Sequence, residues 1–176
     1  MAIARIERLL DPDFVAGLRD LSMDDLRAKR TECQEVEVGL SYLRRVVQGR
    51  LDIVIADLQR RAGGEPADLA ALVDQLPGIL GEHARPAGYG RLPTLIEPAD
   101  TDDLTAEVDA VADTARLSSL PDMEEAEIRA LADALGELER QTSDQRRLLH
   151  ERLDVLQEEI VRRYKEGEAS VDSLLK

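Results

Sequence analysis

Two rows of polar residues in this sequence repeat the same side-chain types at the same spacing. Residues 37–52 and residues 139–154 align at an offset of 102, and the identities between them are largely polar. The shared spacing keeps each row within about 80° of one helix face. Beyond the rows, Arg60-Arg61 also matches Arg162-Arg163. The first row contains Glu37, Ser41, Arg44, Gln48 and Asp52, and the second contains Glu139, Ser143, Arg146, His150 and Asp154.

These side chains have the chemistry to recognise guanine and phosphate. An arginine guanidinium presents a planar fork of donors that suits phosphate oxygens or the O6 and N7 edge of guanine. A carboxylate accepts hydrogen bonds from guanine N1–H and the exocyclic amino group, while serine and glutamine add donors and acceptors for phosphate and sugar. Two equal rows suit a ligand with two-fold symmetry, and the pattern therefore indicates a symmetric guanine dinucleotide. A ladder of Arg–Asp salt bridges would produce a similar pattern.

Each polar row lies beside an apolar seam that predicts a long helix. Apolar residues recur at steps of three, four and seven, which is typical of coiled-coil helices, and neither seam can be buried by one helix alone. Ser22 and Asp25 form a helix-start pattern before the first seam. We therefore predict an all-α fold in which two long helices form a coiled coil. The seams are Leu26, Cys33, Val36, Leu40, Leu43, Val47, Leu51, Val54 and Leu58, and Ile128, Leu131, Leu135, Leu138, Thr142, Gln145, Leu149, Leu153, Leu156 and Ile160.

The long helices divide the chain into five parts. Between them, a stretch rich in proline and glycine predicts short helices around an irregular loop. The short middle helices are expected at 67–76 and 102–115, and the loop at 81–100. The five parts are an N-terminal helical segment at 1–21, the first long helix at 22–62, the linker at 63–120, the second long helix at 121–165 and a tail at 166–176.

Composition and motifs argue against several classes of function. A net charge of −14 disfavours direct binding of DNA or of an anionic membrane. Cys33 is the only cysteine, so we expect neither an intrachain disulfide nor a cysteine metal site. The spacing of His83 and His150 fits no metal motif, and no nucleophile is paired with a base, so we predict no metal and no enzyme activity. Without a signal-peptide or membrane-spanning pattern, we expect a cytoplasmic protein.

At the two polar rows the sequence resembles the RsiG family of anti-sigma factors. The first row matches the family pattern E-x3-S-x2-R-x3-Q-x3-D at all five positions, and the second departs from it at His150, where the pattern has glutamine. The resemblance implies an antiparallel coiled coil that holds a dimer of cyclic di-GMP, with two ligand molecules per chain. It also implies that the ligand-bound protein sequesters a WhiG-type sigma factor and thereby regulates sporulation transcription.

The expected roles follow from the chemistry of each side chain. Arg44 and Arg146 would bind guanine or phosphate, Asp52 and Asp154 would bind guanine edges, and Ser41, Ser143, Gln48 and His150 would bind phosphate and sugar. Glu37 and Glu139 would bind guanine or orient an arginine. The main alternative is a coiled-coil adaptor or structural protein without a nucleotide, in which the polar rows form interhelical salt bridges. An enzyme of cyclic di-GMP turnover is disfavoured, because no metal-binding acidic cluster is evident.

Overall fold

The structure is a computed structural model that describes residues 2–64 and 101–167, and every regular element in these residues is helical. The predictions for 67–76 and 81–100, and for most of the tail, lie outside the described residues. The α-helices are α1 (Ala2–Leu10), α2 (Met23–Ala62), α3 (Thr101–Ala112), α4 (Thr114–Ser118) and α5 (Glu125–Lys165), and three 3-10 turns cover Pro12–Val15, Leu18–Asp20 and Leu120–Asp122. The predicted all-α class is confirmed.

The chain divides into two compact units, and both long helices contribute to each unit. Unit 1 comprises Met1–Ser41 and Ser143–Lys176, whereas unit 2 comprises Tyr42–Thr142. Unit 1 therefore contains the first half of α2 and the second half of α5. Unit 2 contains the second half of α2 and the first half of α5.

Within unit 1 the two long helices run antiparallel. Arg30 of α2 donates a hydrogen bond to Gln157 of α5 at 3.1 Å. Arg27, which is closer to the start of α2, donates to the Tyr164 hydroxyl near the end of α5 at 2.5 Å. Advancing along α2 thus corresponds to moving backwards along α5.

Unit 2 shows the same direction of packing. Arg44 in the middle of α2 donates to Glu139 of α5 at 3.0 Å. Arg61 at the end of α2 donates to the backbone carbonyl of Met123, just before α5 begins, at 2.9 Å. The antiparallel coiled coil that the family resemblance implied is therefore confirmed.

Most of the predicted seam positions form the core. The exceptions are half-buried: Leu51 and Leu58 in α2, and Gln145 and Leu153 in α5. No described helix combines the length and apolar character that a membrane span requires. The buried seam residues are Leu26, Cys33, Val36, Leu40, Leu43, Val47 and Val54 of α2, and Ile128, Leu131, Leu135, Leu138, Thr142, Leu149, Leu156 and Ile160 of α5.

The first long helix begins as the sequence predicts. The Ser22 hydroxyl accepts from the Asp25 backbone N–H at 3.1 Å, and the Asp25 carboxylate accepts from the Ser22 backbone N–H at 3.3 Å. This reciprocal pair is a capping box, which satisfies backbone donors that the first turn of a helix leaves without partners.

The second long helix begins later than the predicted residue 121. Pro121 lies in the 3-10 turn Leu120–Asp122, and the extended backbone of Met123 separates that turn from α5. The helix then starts at Glu125, and the Glu127 carboxylate accepts from the Glu124 backbone N–H at 3.0 Å. The proline therefore opens a separate turn rather than the long helix.

The internal repeat extends beyond the two polar rows to the elements that precede each long helix. The offset of 102 relates the 3-10 turn Leu18–Asp20 to Leu120–Asp122. It also relates Asp11 to Asp113, each of which caps a short helical element by accepting a backbone N–H. Units 1 and 2 are therefore assembled from equivalent elements.

Candidate functional site

Seven of the ten predicted site residues form two polar clusters, one within each unit. Cluster 1 consists of Glu37, Ser41, Arg146 and His150 in unit 1. Cluster 2 consists of Arg44, Gln48 and Glu139 in unit 2. Of the other three predicted residues, Asp52 and Ser143 are half-buried on the same long helices, and Asp154 is exposed on α5.

Cluster 1 is centred on one carboxylate oxygen of Glu37. Ser41, one turn later on α2, donates to Glu37 Oε1 at 2.7 Å. From α5, Arg146 donates to the same oxygen through Nε at 3.2 Å and Nη2 at 3.1 Å. His150 Nε2 lies 3.4 Å from this oxygen as well. Glu37 therefore holds together polar side chains from both long helices.

The surroundings of Glu37 favour its ionised form. Burial raises the pKa of this carboxyl, but the hydrogen bonds from Ser41 and Arg146 and the positive charge of Arg146 outweigh burial. The net result is a pKa below the usual value for glutamate. Cluster 1 therefore contains a carboxylate anion at neutral pH.

Cluster 2 reproduces this arrangement with the two helices exchanged. Here α5 supplies the carboxylate, and Glu139 Oε1 accepts from Arg44 Nε at 3.0 Å. Gln48, one turn further along α2, donates to the same oxygen through its amide at 3.3 Å. In each cluster, one helix supplies a glutamate and the other supplies an arginine. Four residues after the arginine comes a glutamine in cluster 2 and a histidine in cluster 1.

The arginines of the clusters can reach a ligand from solvent. The side chains of Arg44 and Arg146 are half-buried, so each guanidinium is held by its glutamate while part of its surface stays accessible. An arginine positioned in this way can donate two parallel hydrogen bonds to phosphate oxygens or to a guanine edge. Each glutamate thus fixes the orientation of its arginine side chain.

Unit 1 also contains an acid–arginine clamp, in which one carboxylate binds two neighbouring arginines of the same helix. Glu159 accepts from Arg162 and Arg163 at 2.9 Å each. Arg163 then donates to the backbone carbonyls of Leu18 at 2.8 Å and Leu21 at 2.6 Å. The clamp fixes the end of α5 to the turn that precedes α2.

Unit 2 contains the equivalent clamp. Asp57 accepts from Arg60 and, at 2.7 Å, from Arg61. Arg61 donates to the backbone carbonyls of Leu120 at 2.5 Å and Met123 at 2.9 Å. The end of α2 is thereby fixed to the turn that precedes α5.

A second pair of repeated arginines attaches the short helices to the long ones. Arg50 of α2 donates to the Ala112 carbonyl at the end of α3 at 2.8 Å. Its equivalent, Arg152 of α5, donates to the Leu10 carbonyl at the end of α1 at 3.2 Å. These arginines support the framework that positions the clusters, and they are not members of them.

The described residues hold no group of three or more His, Cys, Asp or Glu side chains that could bind a metal ion. The clusters are instead built from donors and acceptors that suit a polar organic ligand.

Comparison with known proteins gives one family. The family model described as RsiG-like matches residues 12–80 and 114–176, which together exceed half of the chain and include all the residues of both clusters. A search of curated proteins finds no match.

Proposed function

Because the chain belongs to the RsiG-like family, we propose that it is an anti-sigma factor that binds a cyclic di-GMP dimer and, in that state, sequesters a WhiG-type sigma factor. Membership of the family implies the anti-sigma role and a sigma-factor partner. The ligand, the type of sigma factor and the role in sporulation are the parts of the proposal that experiments must test.

The observation that carries the proposal is the equivalence of the two clusters. Each presents an arginine that a glutamate from the other long helix holds in place: Arg146 by Glu37, and Arg44 by Glu139. Equivalent clusters can make equivalent contacts with guanine or phosphate groups. Cyclic di-GMP has two guanines and two phosphates, so its chemistry matches a repeated arginine-based site.

The proposed contacts assign one kind of interaction to each residue type. Arg44 and Arg146 bind guanine edges or phosphates through paired N–H donors. Asp52 and Asp154 accept from guanine N–H groups. Ser41, Ser143, Gln48 and His150 bind phosphate and sugar, while Glu37 and Glu139 keep the arginines oriented.

Calorimetric titration with cyclic di-GMP tests the ligand. We expect wild-type protein to bind about two ligands per chain, which is one dimer at the repeated site. The double variant R44A/R146A removes both guanidinium forks and is expected to lose at least about a hundredfold in affinity.

A matched control separates these contacts from general electrostatics. R45A/R147A removes the same number of positive charges from exposed neighbouring positions outside the clusters. We expect it to bind cyclic di-GMP like wild type. Equal losses in the two double variants would show that overall charge, rather than the clusters, accounts for binding.

The partner is tested by co-purification with a WhiG-type sigma factor. We expect a complex that forms with cyclic di-GMP and is lost either without the ligand or in R44A/R146A. A complex that forms equally well without the ligand would contradict the proposed control by cyclic di-GMP, even though the sigma factor would still be a partner.

The second candidate function is a coiled-coil adaptor without a nucleotide. The observation that favours it is that Arg44–Glu139 and Arg146–Glu37 are themselves ion pairs between the long helices. In that case the clusters only stabilise the coiled coil. The adaptor predicts no heat of binding with cyclic di-GMP, whether or not a sigma factor is present.

A further inference from the structure

The two clusters differ at one position that can change its charge. In cluster 2, the Gln48 amide donates to Glu139 Oε1 at 3.3 Å. In cluster 1, His150 Nε2 occupies the equivalent place, 3.4 Å from Glu37 Oε1. An amide is neutral at every pH that a folded protein experiences, whereas an imidazole gains or loses a proton near neutrality. Cluster 1 alone therefore contains a group whose charge depends on physiological pH.

We propose that His150 makes cyclic di-GMP binding by this chain sensitive to pH, because its protonated imidazole adds to cluster 1 a positive charge that the ligand phosphates stabilise. This inference rests on the proposed function and specifies how the same site is regulated. It makes His150 a regulatory residue of the site, whereas its equivalent Gln48 contributes only a neutral hydrogen bond.

Two charged groups lie beside the imidazole and affect its protonation in opposite directions. Glu37 of α2 favours the protonated ring through its carboxylate. Arg146 of α5 has Nη2 3.5 Å from His150 Nε2, and its charge disfavours the protonated ring. A bound phosphate would screen the repulsion from Arg146 and add a second anion. Ligand binding is therefore expected to favour proton uptake at His150.

The other charged groups on α5 near His150 are Asp154, the pair formed by Arg147 and Glu151, and Arg152, which donates to the Leu10 carbonyl. Asp154 lies one turn further along α5, on the same row. Arg147 and Glu151 flank His150 in the sequence and bind each other at 2.9 Å. This pair has both charges, so it changes the local potential little.

Unit 1 also has a buried thiol on α2 and arginines on α1. Burial raises the pKa of the Cys33 thiol to about 11, so it stays uncharged near neutrality. The charged arginines of α1 are directed to α2, where Arg5 binds Glu32 and Glu35 and Arg8 binds Glu32. His150 is thus the one imidazole of cluster 1.

Proton and ligand binding must then be coupled in both directions. If the ligand favours the protonated imidazole, lowering the pH must favour the ligand by the same factor. We expect the affinity of the wild-type chain for cyclic di-GMP to be about tenfold higher at about pH 6 than at about pH 8. A glutamine at this position would remove the coupling.

The experiment is calorimetric titration with cyclic di-GMP across this pH range for four proteins. The wild type should show the pH dependence, and H150Q should show a flat profile. Q48H places an imidazole in cluster 2 as well and should show a steeper profile. H83Q changes the only other histidine in the chain and should match the wild type. Circular dichroism at each pH verifies that all four proteins stay folded.

A second readout measures the proton directly. Repeating the titration at one pH in buffers with different heats of ionisation gives the number of protons taken up on binding. We expect uptake by the wild type and H83Q, and none by H150Q. This measurement does not depend on the affinity that each variant retains.

The outcomes separate this inference from the proposed function. If wild type and H150Q bind the ligand with the same pH dependence and proton uptake, His150 is not the regulatory group, while the ligand assignment stands. A flat wild-type profile overturns the inference in the same way. If no protein binds cyclic di-GMP at any pH, the proposed function fails and the inference fails with it.

Discussion

Unit 1 and unit 2 are built from equivalent elements, yet they expose their clamps to different degrees. In unit 2 the side chains of Asp57 and Arg60 are 1% and 3% exposed. In unit 1 the equivalent Glu159 and Arg162 are 10% and 30% exposed. The second arginine of each clamp shows the opposite order, with Arg163 of unit 1 at 8% and Arg61 of unit 2 at 18%. The comparison shows that the repeat preserves which side chains contact each other, whereas the solvent exposure of the equivalent side chains differs between the units.

The two clusters also share one part and differ in another. Both have a glutamate that holds an arginine from the other long helix, but cluster 1 has His150 where cluster 2 has Gln48. The clusters share the arginine and the glutamate that binds it. The part that differs is the neighbouring donor, which determines whether the cluster can respond to pH.

The strongest test of the equivalence between the units is to bury a charge in the seam. Val47 in unit 2 and the equivalent Leu149 in unit 1 are fully buried. V47D and L149D should each cost more than about 4 kcal/mol of unfolding free energy, because a carboxylate would be buried among apolar side chains. We expect both variants to lose the cooperative thermal transition in far-ultraviolet circular dichroism.

An exposed position on the same helix provides the control for these variants. Val38 of α2 is 42% exposed, and V38D should change the free energy of unfolding by less than about 0.5 kcal/mol. If only one of the two seam variants lost its structure, the units would differ in how much of the core they supply.

A smaller effect is expected when the clamps lose their carboxylate charge. D57N removes an anion beside Arg60, which is buried, and should cost about 3 kcal/mol. E159Q removes an anion beside Arg162, which water partly solvates, and beside Arg163, which is buried, and should cost about 2 kcal/mol. Urea denaturation of the two variants measures the difference, and equal costs would show that burial does not decide the strength of the clamps.

The clamp of unit 1 also predicts how stability depends on pH. The hydrogen bond from Arg162 lowers the pKa of Glu159, burial opposes this, and Arg163 adds to the lowering, with a net value of about 2. Because the folded state favours the ionised carboxyl, the clamp stabilises the protein above the ordinary glutamate pKa, and this contribution is lost as the pH falls towards 2. Thermal unfolding below about pH 5 should show a smaller loss of stability in E159Q than in wild type.

The variant E158Q is the control for this pH dependence. Glu158 precedes Glu159 on α5 and is exposed. We expect E158Q to lose stability in acid as the wild type does. If E159Q followed the same curve, the ionised clamp would contribute little to folding.

The smallest effect concerns a polar residue in the seam. Thr142 is buried where the equivalent residue of unit 1 is Leu40, and its hydroxyl donates to the carbonyl of Leu138 in its own helix at 2.8 Å. T142V keeps the shape and removes the hydroxyl, so it should stabilise the protein by up to about 1 kcal/mol. T142S, which keeps the hydroxyl and loses the methyl group, should be destabilising, and the thermal midpoints of both variants test this.

The sequence predicts the long helices and the seams well, because their periodicity is repeated over many turns. It does not predict how Glu37 and Arg146 meet, since they are far apart in the chain and spacing alone permits either helix direction. Once the helices are antiparallel, the pairing of Glu37 with Arg146 and of Glu139 with Arg44 becomes reciprocal. The sequence shows the polar rows, but which residues of the two rows contact each other depends on the direction in which the helices pack.

The clamps left a weaker signal in the sequence. The repeated arginines at Arg60-Arg61 and Arg162-Arg163 could be seen, but Asp57 and Glu159 differ in residue type, so a search for identities misses them. The acceptors of Arg61 and Arg163 are backbone carbonyls, which any residue possesses. Sequence periodicity also assigned Leu58 to the seam, whereas the structure buries the neighbouring Asp57 through its pairing with the arginines.

The clamps impose a constraint on the length of the long helices. Arg44 precedes Arg61, and Arg146 precedes Arg163, by the same 17 residues. A single-residue insertion within either interval would rotate the cluster by about 100° relative to its clamp and shift it by about 1.5 Å. Evolution and protein engineering can therefore change these helices by substitution much more easily than by insertion or deletion.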